Sequence, residues 1–286
     1  MKSRNLVDYI TLFFKGVFMG IADAIPGVSG GTIALLLGIY EELISTISGL
    51  NINLLIDLKQ NGFKSFWKKL NGNFLVTLIV GIGISLIFFI KISSKLLNDY
   101  PIFIWSFFLG LIIATVYVIF KLIKRWDYIN IISAFATIIL SSILSSISVN
   151  SSDEISLLYI LVCGIIASSA MILPGISGSL ILVIMGVYKV LIDSVNNLEI
   201  SIIFTFIIGA IAGLISFSKI LSWLFNNYKN LTYSIMLGFV IGSIGKVWPW
   251  KQNEMVQLAN LDMIFSVILV IIGFFMIFII EKLNSN

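Results

Sequence analysis

The sequence predicts an all-α integral membrane protein built as an inverted-topology repeat, each half a broken, re-entrant helical hairpin followed by three transmembrane helices. Three observations lead there. The chain of 286 residues is 59% hydrophobic and 11% charged, whereas a soluble domain carries about 25% charged residues; it has too few charges to cover a water-facing surface. Its apolar runs are continuous and close to the ~20 residues that span a bilayer core, while a closed barrel reads as alternating segments of about ten. Finally, the polar turn IPGVSGGT at residues 25–32, which interrupts the first apolar run, returns as LPGISGS at residues 173–179.

The repeat extends well beyond the turn. Shifted by 148 residues, positions 16–44 match 164–192 with 11 identities in 29, among them Pro26/Pro174, Gly27/Gly175, Ser29/Ser177, Gly30/Gly178, Gly38/Gly186 and Tyr40/Tyr188. Unrelated apolar segments of this composition share about two. The match continues at an offset of 128, through Gly81/Gly209, Lys91/Lys219, Asn98/Asn226, Tyr100/Tyr228 and Gly110/Gly238, the difference being absorbed by a longer loop at 51–73 in the first half. The chain therefore reads as one membrane domain of two halves, 1–150 and 151–286.

The elements follow in order. The first hairpin occupies 9–47, with arms at 9–25 and 30–47, and transmembrane helices are expected at about 74–90, 102–120 and 129–147. The second hairpin occupies 157–192, followed by helices at about 200–217, 231–247 and 263–280. A hairpin enters and returns, leaving the chain where it began, whether it spans fully or only dips in. Three crossings then move it to the other side, so the second half runs inverted, the pattern of many secondary transporters. With the N-terminus on one side, 13 of the 18 basic residues fall on that side. The positive-inside rule makes it the cytoplasm, with both termini inside a multi-pass cell membrane protein. Tryptophans near segment ends, such as Trp67, Trp126 and Trp250, suit interfacial anchoring.

Composition also removes whole classes of chemistry. There is no histidine, which excludes histidine acid–base catalysis, histidine metal sites and serine triads. The single cysteine, Cys163, has no partner for an internal disulfide and reads as a small packing residue. No nucleophile stands with an acid–base partner, so no enzymatic activity, cofactor or metal is expected. The basic residues lie in short loops, which gives nucleic-acid binding no support.

The turns carry the functional reading. Proline lacks a backbone donor and glycine permits positive φ, so Pro26-Gly27 and Pro174-Gly175 end a helix as structural turns. Ser29 and Ser177 stand where a new helix starts, and serine is a good N-cap. Unpaired amides and the helix dipole then make an anion site without basic side chains. The expected substrate site is lined by Ser29, Gly30, Gly31 and Thr32 from one hairpin and by Ser177, Gly178 and Ser179 from the other, near the bilayer midplane. The plainer alternative is a pair of surface turns between full spans, with Gly16, Gly20, Gly164, Ala167, Ser168 and Ser169 serving close helix packing. Asp23, three residues before Pro26 and replaced by Met171 in the repeat, is an intramembrane carboxylate and functional by default. It is expected to carry a coupling proton, contact a cation, or cap local amides.

At these residues, GIADAIPGVSGGTIALLLGIYEELI (20–44) and ASSAMILPGISGSLILVIMGVYKVLI (167–192), the chain resembles the polyprenyl-phosphate transporter family of prokaryotes, over nearly its whole length. The resemblance implies a flippase in the cytoplasmic membrane that returns undecaprenyl phosphate, the lipid carrier of cell-wall building, from the outer to the inner leaflet. It carries over to Asp23, Pro26, Gly27, Ser29, Gly30, Gly31 and Thr32, and to Pro174, Gly175, Ser177 and Gly178; Ser179 departs from it, standing where the first repeat has glycine. The partners implied are the polyprenyl-phosphate lipid, membrane lipids and a coupling proton or cation, with a homo-oligomer left open. Lys15, Lys91, Lys189 and Lys219 are candidates to attract the phosphate or to snorkel to headgroups. A transporter or channel for a small soluble anion is the alternative, since the same helix ends would serve it.

Overall fold

Glycine breaks the apolar arms once more than hydropathy indicates. The second arm of the first hairpin, expected as one segment over 30–47, is two helices: α2 (Gly30–Leu36) and α3 (Tyr40–Ser48), bent by 119°. Gly38 sits between them with φ +69°, a left-handed conformation that side chains resist. The second hairpin repeats the device. Gly186, at φ +72°, separates α9 (Gly178–Ile184) from α10 (Tyr188–Asn196) at a bend of 108°.

The computed structural model describes residues 4–23, 29–146, 156–250 and 260–284, and these are all-helical. The remaining helices are α1 (Leu6–Asp23), α4 (Ile52–Lys69), α5 (Gly72–Asp99), α6 (Pro101–Leu122), α7 (Tyr128–Ser146), α8 (Leu157–Ile172), α11 (Ile200–Asn227), α12 (Lys229–Val247) and α13 (Asn260–Asn284). Their starts carry recognisable signals. Pro101 opens α6 at a position that needs no amide donor, and the Ser156 side chain caps α8 by accepting from the Tyr159 amide at 3.2 Å. Helices α5 and α11 are each 28 residues long and run past the expected ends at 90 and 217.

Residues 51–73, expected as a loop, hold α4. Asn51 caps it, accepting from the Asn53 amide at 2.9 Å, and Gly62 kinks it with φ +77°. Its buried side is small: Leu54, and Asp57 paired with Lys69 at 2.5 Å.

Among the described residues, α6 and α11 are each long and apolar enough to cross a membrane alone, and counting each bent pair as one span gives up to five. Tyr128–Leu144, Leu157–Ile172 and Asp262–Met276 are shorter apolar stretches. Large apolar side chains such as Ile87, Phe88, Ile132 and Phe204 are exposed on the outside, where lipid is the matching solvent.

Packing follows small residues. Helix α1 lies along α5, and α8 along α11. A Cβ on Gly81 would strike the Phe13 carbonyl, and one on its repeat partner Gly209 would strike the Leu161 carbonyl. Small residues of this kind let membrane helices approach backbone to backbone. The later helices exchange partners between halves: α6 lies along α13, and α12 along α7. Here Gly110 meets the Val270 carbonyl and Gly238 the Ala134 carbonyl. The main core forms where α2, α3, α6, α11 and α12 converge, with Tyr40, Ile44, Ile119, Met236 and Val240 at 2% exposure or less.

Candidate functional site

The start of α2, just past the first hairpin tip, meets the second tip inside the bundle. The second tip is described throughout. Helix α8 ends at Ile172, Pro174 is fully buried, and Gly175 turns the chain with φ +87°. A Cβ on Gly175 would lie 2.6 Å from the Phe239 carbonyl carbon, so the turn rests against the middle of α12. Of the first tip, Pro26 and Gly27 lie outside the described residues; Asp23 and Ser29 flank them.

The flanks of the first tip reach the second. The Thr32 hydroxyl oxygen accepts the Gly175 N–H at 2.9 Å. The Ser29 hydroxyl faces the Met171 and Leu173 carbonyls at 3.2 and 3.4 Å, and the Tyr40 hydroxyl donates to the Ile172 carbonyl at 3.0 Å. The Leu173 carbonyl also takes the Ile176 N–H at 3.3 Å, whereas proline at 174 and the turn after it divert the amides that would continue the helix from Met171 and Ile172; side chains of the other hairpin reach these carbonyls. Gly31 allows the approach, since a Cβ there would come within 2.5 Å of the Ile172 carbonyl.

The amides at the start of α2 are not bare. The Gly30 N–H donates to the Asp23 carboxylate at 2.6 Å, and the Gly31 N–H to the Ser29 hydroxyl oxygen at 3.2 Å. Of the three roles open to Asp23, the structure displays the capping of a local amide. A carboxylate thus already takes an amide at the start of α2. The second hairpin differs. No side chain caps α9, and Ser177 instead pairs with Ser179, oxygen to oxygen, at 2.8 Å. Gly178 packs against Ala167 and Met171 on α8, the other arm of its own hairpin. Ser29 and Thr32 therefore join the second tip directly, whereas the described contacts of Ser177, Gly178 and Ser179 stay in their own half.

Basic side chains stand away from the tips. Lys15 donates to the Leu37 carbonyl at 2.8 Å, at the far end of α2. Lys189 and Lys219 are exposed, and the side chain of Lys91 lies outside the described residues.

A second polar cluster, not anticipated from the sequence, holds α3. Arg4 pairs with Glu42 at 2.5 Å, and Lys229 pairs with Glu41 at 2.7 Å. The Tyr233 hydroxyl donates to Glu41, and the Asn71 amide reaches Glu42 at 3.1 Å. Below this cluster opens a cavity of about 530 Å³ whose wall includes Glu41, Glu42, Lys69, Asn71 and Asn226. The sequence signal was the acidic pair Glu41-Glu42 beside the repeated tyrosine Tyr40, which the duplication replaces with Lys189 and Val190.

Comparison with known proteins fits this architecture to a family. A family model described as undecaprenyl phosphate translocase-like matches residues 19–265. A protein of Vibrio cholerae serotype O1 named polyprenyl-phosphate transporter is 39% identical over 253 residues, covering 86% of this chain and 80% of that one. One of the same name from Staphylococcus aureus is 30% identical over 289 residues, covering 95% of this chain and 96% of its own. No solved structure matches. With the match running from α1 into α13 and taking in both hairpins, the chain belongs to the undecaprenyl phosphate translocase-like family.

Proposed function

We propose that this protein carries polyprenyl phosphate across the cytoplasmic membrane, as a flippase that returns undecaprenyl phosphate from the outer to the inner leaflet for reuse in envelope synthesis. The observation that carries the reading is the burial of the polar tips. Ser29 and Thr32 are 3% and 4% exposed, bonded to the second turn, within a bundle whose outside is apolar. Its relatives' name, polyprenyl-phosphate transporter, supplies the class of substrate. An anion of that class suits a place where a carboxylate already takes an amide.

In this reading the phosphate displaces Asp23 from the Gly30 amide. It is then held by Ser29, Gly30, Gly31 and Thr32 on one side and by Ser177, Gly178 and Ser179 on the other. A proton on Asp23 frees the amide without leaving an unpaired charge in apolar surroundings, which is the coupling role. The halves run in opposite directions with both termini cytoplasmic, and exchange between the hairpins moves the site from one face to the other. The lipid leaves chemically unchanged.

The test is transport of labelled polyprenyl phosphate in liposomes holding the full chain, with and without a pH gradient. Protein-dependent movement that responds to the gradient is expected, slowed by Asp23→Asn, Ser29→Ala and Ser177→Ala. Vesicles that move inorganic phosphate but not the lipid would sink the reading, as would wild-type rates in all three variants.

A further inference from the structure

Polyprenyl phosphate has two ends, and the hairpin tips account only for the phosphate. Beside the first tip lies an apolar cavity of about 250 Å³. Phe18 and Ala22 on α1, Ile33 and Leu36 on α2, Leu111 on α6 and Met276 on α13 form most of its wall, and no charged, hydroxyl or amide side chain lines it. Helix packing explains why it exists. Helix α1 lies along α5, α6 lies along α13, and the seven-residue α2 reaches from the first pair to the second. The seam between the pairs is left partly unfilled.

The wall of the cavity neighbours the polar site along the chain: Ala22 immediately precedes Asp23, and Ile33 lies one turn beyond Gly30, whose amide Asp23 holds. It also neighbours the outside of the bundle: Phe14, one turn before Phe18, and Phe275, next to Met276, are both exposed. The cavity thus stands on the same helices as the polar site and as the lipid-facing surface.

We infer that this cavity binds the isoprene units nearest the phosphate, so that the seam between α1 and the α6–α13 pair is the lateral entrance of the substrate; the inference rests on the transport reading above. Size sets the occupant. An apolar cavity of about 150 Å³ accepts the six carbons of benzene, so this one scales to about ten carbons, or two isoprene units. It admits one chain. A polyprenyl phosphate presents one chain, whereas a phospholipid brings two on a glycerol, so the cavity sorts the carrier from bulk anionic lipid. The rest of the tail stays in the bilayer, where moving it would yield little free energy.

The experiment measures competition by dimethylallyl phosphate (one isoprene unit) and geranyl phosphate (two units) against labelled polyprenyl phosphate, on the full chain in phosphatidylcholine nanodiscs. The readout is the ratio of the two affinities, compared between wild type and Leu111→Trp, so that partitioning into lipid cancels. The wild-type ratio is expected to exceed that of the variant, in which tryptophan fills the cavity, by about tenfold or more. The same ratio in both proteins overturns the assignment. So does n-decyl phosphate gaining as much as geranyl phosphate, which would make the cavity an acyl-chain site. A wild type that binds both prenyl phosphates equally keeps the headgroup reading and removes the cavity from it; a wild type that binds neither removes the transport reading and the cavity with it. Should Leu111→Trp fail to fold, photolabelling of the wild type decides. A polyprenyl phosphate with a diazirine on its first isoprene unit is expected to label peptides containing Phe18 or Leu111. Labelling confined to outward positions such as Phe88 and Ile132 overturns the inference.

Discussion

The Thr32 hydroxyl ties one hairpin to the other by accepting the Gly175 amide at 2.9 Å. Thr32 is buried and Gly175 half-buried, so deleting the acceptor leaves a donor that water reaches only in part. Thr32→Val keeps the shape and removes the oxygen; it is expected to cost about 1–3 kcal/mol, seen as a lower midpoint of thermal unfolding in detergent, with Thr32→Ser close to wild type. Equal midpoints for valine and serine would show that the bond holds nothing. Asp23 is read the same way through the Gly30 amide at 2.6 Å. Asp23→Asn keeps an acceptor and should leave the midpoint nearly unchanged while abolishing the response of transport to a pH gradient. Asp23→Ala should lose both, with a cost of about 1–3 kcal/mol for the stranded amide. A gradient response that survives in Asp23→Asn would place the coupling group elsewhere. The sequence made these residues visible as types out of place: a carboxylate in an apolar arm, and a hydroxyl just past a glycine turn. It offered Ser29 as an N-cap and amide capping as one of three roles for Asp23, but it left the Gly30 and Gly31 amides bare, whereas Asp23 and Ser29 take them. That depends on the backbone path through the turn, which composition does not encode.

Whole elements were legible where hydropathy alone defines them. Helix α6 runs Pro101–Leu122 where 102–120 is expected, and α7 starts at Tyr128 where 129 is expected. The breaks inside the second arms were not, because hydropathy sums apolar residues without regard to direction, and a bent apolar segment has the same sum as a straight one. The signal lay in the residue type instead: Gly38 and Gly186 are an identical pair in the repeat, followed in each half by a β-branched residue and tyrosine. Space is not the reason for the glycine at 38, since an added Cβ would meet nothing within 4 Å. The reason is φ +69°. Gly38→Ala should therefore cost about 1–3 kcal/mol from backbone strain alone, and Gly38→Asn should recover much of it because asparagine tolerates the left-handed region. Thermal unfolding of the two variants checks this; alanine as stable as glycine would mean that the bend survives without a left-handed residue. Helix α4 escaped for the opposite reason, since its lysines and asparagines read as loop although Asn51 caps a helix that continues, kinked at Gly62, to Lys69.

Across the molecule, two halves of similar sequence are packed unequally. All seven residues of α2 are buried, while of α9 only Ile181 is. Helix α3 lies along α11 and is latched through Glu42 to Arg4 and through Glu41 to Lys229. In the second half the corresponding Tyr188 and Lys189 are exposed, and among the described residues no ion pair ties α10. The sequence showed the likeness of the halves and not this difference, because a repeat specifies two similar units without stating which of them is docked. In the transport cycle proposed above, the more buried first hairpin would close one end and the less buried second leave the other less sealed, and exchanging their roles would turn the site to the opposite face. The latch must then open in every cycle. Its charge pairs are partly exposed and contribute little stability individually, which suits a contact that has to break repeatedly. Holding it shut should stop transport without unfolding the protein. With Cys163 replaced by alanine, cysteines at Glu41→Cys and Lys229→Cys can be joined by a bifunctional methanethiosulfonate linker matched to the reach of the original side chains. Transport in liposomes is expected to fall to the protein-free rate when the linker is present and to return when a reductant cleaves it. The singly substituted proteins, treated alike, should be unaffected. Full transport with the two positions joined would mean that α3 stays docked on α12 throughout the cycle, and that the inequality between the hairpins is a fixed feature of the fold rather than one half of an exchange.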